Sequence, residues 1–128
     1  MSVDMGFVFV QTSYLRHPKI VGLHERAVLL HLASILWTAE HLTDGYVPVT
    51  ALRSLCDEAG IGARWRDHRV RDLVSRQLWD ELPEGWHVHD FEDWNRSSTR
   101  AVVESNRAAA VERQRRHRER QDRESRRD

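Results

Sequence analysis

The sequence predicts a mainly α fold with a small β-hairpin, followed by an arginine-rich C-terminal helix or disordered arm. Three observations carry this. Apolar residues recur with helical spacing over 24–42, 49–59 and 64–78. Two short apolar stretches flank the turn Pro83-Glu84-Gly85. Residues 112–128, ERQRRHRERQDRESRRD, contain no apolar residue and cannot fold on a core of their own. The division that follows is a folded domain over 1–95 and a basic helical or partly disordered tail over 96–128.

Taken in order, residues 6–11 (GFVFVQ) read as a strand or extended segment, because Phe and Val dominate. Ser13 caps and Pro18 starts a short helix or turn near 14–22. Residues 24–42 are apolar nearly all round, which marks a central helix. Its polar residues His24, His31, Ser34, Thr38 and His41 fall on one stripe. Thr43-Asp44-Gly45 is a turn, and Tyr46-Val47-Pro48 a short β segment. Thr50 caps the helix 49–59, whose face is Leu52, Leu55, Cys56 and Ala59. Gly60-Ile61-Gly62 ends it. The helix 64–78 turns Val70, Leu73 and Val74 inward. Strands follow at 78–82 and 86–91. Ser97-Ser98-Thr99 opens a last helix. Three i,i+4 pairs support its end: Glu112–Arg116, Glu119–Arg123 and Asp122–Arg126.

Helix, short strand, helix, turn, helix, hairpin is the order of a winged helix-turn-helix. In that arrangement the third helix enters a major groove about 12 Å wide, and the hairpin reaches backbone or minor groove beside it. The helix-turn-helix spacing is half met. Cys56, Gly60 and Ile61 fit it, but Val70 comes late, so the turn is several residues long.

Charge fits a nucleic-acid partner only once it is divided. The chain has 20 basic and 20 acidic residues and a net charge of zero. Residues 1–98 hold ten basic against fourteen acidic groups, whereas 99–128 hold ten against six. Around the helix 64–78, His68 marks the outward centre, flanked by Arg64, Arg71 and Ser75 on one side and Trp65 and Asp72 on the other, with Arg69 and Arg76 at the edge. Arg64, His68 and Arg71 are the candidates for groove contacts and Arg69 and Arg76 for phosphates, with Arg66 and Ser75 completing the DNA-binding set. In the tail, Arg113, Arg115, Arg116, Arg118 and Arg120 read as a phosphate-tracking arm. A solvated, ion-paired helix face is the plainer alternative for both sets. Asp72 on the groove face is a cost unless it pairs with a neighbouring arginine or reads a cytosine amino group.

Other classes find less support. There is no Gly-rich phosphate loop, nucleophile elbow or HExxH, so no enzyme and no cofactor is expected. His87 and His89 share a strand face but lack a third metal ligand at suitable spacing. The carboxylates Asp90, Glu92 and Asp93 read as a cap on the link to the tail. No segment has the length of a membrane span. The N-terminus lacks the basic region of a signal peptide. A lone Cys56 fits a reducing cytoplasm. A thin stripe of Val103 and Ala110 leaves a homodimer open.

The strings LTDGYVP (42–48), WHVHDFEDWN (86–95) and SSTRAVVESNRAAAVERQRRHRER (97–120) resemble winged-helix DNA-binding proteins of actinobacteria and their phages, similar to the N-terminal domains of phage replication initiators (replisome organisers). The resemblance covers about Phe7 to Arg120. It departs at Ser98, where a proline often precedes the tail helix in that family. It implies duplex DNA binding in replication initiation or transcription regulation, within a bacterial host cytoplasm, and no catalytic residue. An adaptor that recruits a replication or transcription protein through the same fold is the competing expectation.

Overall fold

The computed structural model describes residues 6–94 and 100–127. The first strongly apolar run forms helix α1 (Glu25–Glu40). The His24 side chain caps it by accepting from the Arg26 N–H at 3.1 Å. Strand β1 (Tyr46–Pro48) leads through a 3-10 turn into α2 (Leu52–Glu58). A second 3-10 turn, Ala63–Trp65, leads into α3 (Arg66–Ser75). The link between α2 and α3 is long, as the late inward residue Val70 required. Strands β2 (Trp79–Leu82) and β3 (Gly85–Val88) follow, then α4 (Phe91–Trp94) and α5 (Arg100–Arg126).

The hairpin is part of a three-stranded antiparallel sheet, in the order β1-β3-β2. Tyr46 faces His87 on one side of β3, and Asp80 faces His87 on the other. Pro48, which has no N–H to give, lies on an edge strand where none is required. The core gathers Leu30 and Ile35 of α1, Leu55 and Cys56 of α2, Leu73 of α3, and Leu78, Trp79, Val88 and Phe91 around the sheet. Each large apolar side chain buried there contributes about 1.5–3 kcal/mol.

The polar stripe on α1 is internal. His31, Ser34 and Thr38 are fully buried. The Trp79 indole N–H donates to Ser34 Oγ at 3.0 Å, and Ser34 Oγ donates to the His31 carbonyl at 2.6 Å. Buried polar groups persist only when satisfied in this way. Leu29 and Leu36 take the exposed side of the helix instead.

Several expectations are corrected. Neither Ser13 nor Thr50 caps a helix: Ser13 makes no side-chain capping bond, and Thr50 lies inside the 3-10 turn Val49–Ala51. Residues 6–11 form no strand. The returning strand ends at Val88 rather than at 91, because Asp90 takes a positive φ of 52° and Phe91 starts a helix. The expected helix start at Ser97-Ser98-Thr99 lies outside the described residues. Of the three expected tail pairs, only Glu112–Arg116 is among the ion pairs of the described residues, at 3.3 Å.

Candidate nucleic-acid interface

Helix α3 is held by its inner face. Leu73 is fully buried and Val70 nearly so, both packed toward α1 and the sheet. The face that remains outward carries His68, Arg71 and Ser75; Arg64 lies just before it in the 3-10 turn Ala63–Trp65, because the helix starts at Arg66 rather than at 64, and all four are exposed. Arg64 and His68 gather around an exposed indole. The Arg64 guanidinium lies 5.5 Å from the Trp65 ring centre, and the His68 ring meets Trp65 edge-on at 6.0 Å. Trp65, at 49 % exposure, shares this face, as the outward arc read from the sequence has it, although it is expected in no contact. Arg71 makes no ion pair among the described residues.

The remaining arginines of this region are engaged in the fold. Arg69 is only 8 % exposed, not at a solvent edge. Its Nη1 donates to Asp72 Oδ2 at 2.9 Å, and its guanidinium also lies 5.8 Å from the Trp65 ring. Asp72 thereby gains the arginine partner it needs. Arg66 is half-buried and sits 3.7 Å from Asp57 at the end of α2. Arg76 reaches back across the chain, donating to the Val21 carbonyl at 3.0 Å. Arg69, Arg66 and Arg76 therefore brace α3, and Arg69 in particular is withdrawn from the solvent-facing set.

The hairpin brings negative charge. Asp80, Glu81 and Glu84 lie on it, and no arginine or lysine stands between Trp79 and Val88. Its tip is tied down, since the Val49 N–H donates to the Glu84 carbonyl at 3.1 Å. Trp86 packs on Trp79 at 5.3 Å, so the strands are inward-looking rather than a free arm. A hairpin with this charge does not suit phosphate contact. His89 lies 2.9 Å from Asp80 and 3.3 Å from Asp90, and His87 Nε2 donates to the Asp44 carbonyl at 3.0 Å. Among the described residues, no group of three or more His, Cys, Asp and Glu side chains gathers as a metal site.

The tail is a helix. α5 is exposed along almost its whole length. Arg115 is held twice, 2.7 Å from Glu112 and 3.0 Å from Glu119. The hydrogen bond from Arg115 holds the Glu112 carboxyl below its usual range, and the same bond raises the guanidinium. Arg113, Arg118 and Arg120 are exposed and make no ion pair among the described residues. No helix among the described residues is long and apolar enough to cross a membrane.

No protein-family model, curated protein or solved structure matches the chain.

Proposed function

We propose that the chain is a duplex-DNA-binding winged helix-turn-helix protein of phage or mobile-element type, acting in replication initiation or transcription regulation in the bacterial cytoplasm. The observation that carries the reading is the outward face of α3. His68 and Arg71 stand exposed on α3, and Arg64 in the turn that enters it, with the helix braced from behind by Leu73, Val70 and the Arg69–Asp72 pair. Arginine there can pair bidentately with a guanine edge or sit on phosphate. The arginines of α5 add sequence-independent attraction. The acidic hairpin points to a mode in which α3 and the tail meet DNA and the hairpin does not.

The role in replication or transcription rests on the resemblance of the chain to phage replication initiators. The reading calls for no cofactor. Its test is a titration of the full chain against a random-sequence duplex pool, with sequencing of the bound fraction. Enrichment of a defined site supports it; absence of retained duplex at low salt opposes it.

One observation favours the adaptor as a second reading. An open groove of about 660 Å³ runs between α1 and the segment before it, lined by Leu15, Val21 and Leu29 among others. These three residues are exposed. An exposed apolar patch of this kind suits a protein partner. Leu29→Glu would then abolish partner capture and leave duplex binding intact.

A further inference from the structure

The arginines of α5 are not evenly placed around the helix. Arg113, Arg116, Arg120 and Arg123 of the helix, and Arg127 in the turn just past its end, follow one another at spacings of three, four, three and four. At about 100° per residue they fall within an arc of about 80°. All five are exposed. At 1.5 Å per residue the row is about 21 Å long. Glu104 and Asp122 fall on the opposite side. Glu112 and Glu119 border the row on one flank and Glu124 on the other. Among the described residues, only Arg116 of the row shares an ion pair, with Glu112 at 3.3 Å. An exposed pair of this kind is worth under about 1 kcal/mol and exchanges readily.

Off the row, one arginine is held by carboxylates. Arg115 is clamped between Glu112 and Glu119 and points away from the row. Of the five arginines clustered over 113–120, Arg115 and Arg118 thus lie off the row, and Arg123 and Arg127 join it. We infer that this row is a distinct phosphodiester-tracking site, which lays α5 in one rotational setting along a single backbone of duplex DNA.

This rests on the DNA-binding reading and sharpens it. A continuous polyanion suits five guanidinium groups in line. An anionic membrane suits them less, because an interfacial helix needs a deep apolar face. Helix α5 has no Leu, Ile, Phe or Trp, and its valines are Val102, Val103 and Val111. The row carries no base-reading geometry, so its contribution is independent of sequence.

Two charge-matched triple variants of the full chain test it. One replaces Arg116, Arg120 and Arg123 by Gln; the other replaces Arg107, Arg118 and Arg126 by Gln. Glutamine keeps helix propensity, and circular dichroism checks that helicity is retained. Binding of a random-sequence duplex is measured across salt concentration. The first variant should lower the slope of log affinity on log salt by about 2.7, at about 0.9 for each phosphate no longer neutralised. The second should change it by less than about 1. Equal losses in the two variants overturn the row while leaving duplex binding standing. A wild-type chain that binds no duplex overturns both readings. Retention on anionic phospholipid vesicles in preference to duplex also overturns the row.

Discussion

Nη1 of Arg69 lies 2.9 Å from Oδ2 of Asp72, on a side chain with 10 % of its surface exposed. The pair removes one arginine and one aspartate from the electrostatics of the α3 face and converts them into a brace. Arg69→Ala should leave a half-buried carboxylate without its partner and cost about 2 kcal/mol, read as a lower urea midpoint. The salt slope of duplex binding should not change, because Arg69 contacts no phosphate in this account. A fall in slope equal to that of an exposed arginine would contradict it.

Tyr14 and His31 set an acid limit on stability. Their Oη and Nδ1 lie 2.6 Å apart in the core. Burial pushes the imidazole down to about 3, helped by the charges of His17 and Lys19, and burial pushes the tyrosine up. His31 is therefore neutral in the hydrogen bond it shares with Tyr14. A folded value below the unfolded value near 6.5 means that the unfolded chain takes up the proton first. Stability is full above about pH 6.5 and declines as pH falls from there toward about 3. Denaturant midpoints at pH 7, 6, 5 and 4 should decline accordingly. His31→Gln should be less stable at neutral pH and show a flatter decline.

Gly85 is the position where the sheet admits no side chain. A Cβ there would overlap the Val47 carbonyl oxygen and lie 3.0 Å from the Pro48 Cα, both backbone atoms. Gly85→Ala should destabilise the chain by about 3 kcal/mol, because β1 must separate from β3 to admit the methyl group. Gly62→Ala meets nothing within 4 Å and should leave the midpoint nearly unchanged. Thermal unfolding of the two variants checks the contrast.

The order of helices and the hairpin was legible because it is written in local apolar spacing. Leu30, Leu55, Leu73 and Val88 all fall where those patterns predict an interior. The pairing of β1 with β3 was not legible, since Tyr46 and His87 are far apart in sequence and three residues carry no alternation to read. The end of β3 was obscured because Asp90 adopts a positive φ without being glycine. On α3 the wheel located the outward centre at His68, which is exposed. It misjudged Arg69, whose long stem reaches inward once Asp72 and Trp65 receive its head group. Arg76, expected at the helix edge toward phosphate, is also held in the fold, because its carbonyl partner Val21 comes from a distant part of the chain. Exposed charge is a local property of a helix, but engagement of that charge is not.

The measurement that tests the central claim most directly is fluorescence anisotropy of a labelled duplex, titrated with the full chain and with Arg64→Ala/Arg71→Ala across salt concentration. The account predicts that wild-type affinity falls linearly on logarithmic axes as salt rises. It predicts that the double variant, with unchanged thermal stability, loses affinity for the selected site by at least about tenfold, since each bidentate contact discriminates by about 1–3 kcal/mol. A folded wild-type chain that leaves the duplex unbound at low salt, or a double variant that binds as tightly as wild type, would contradict it.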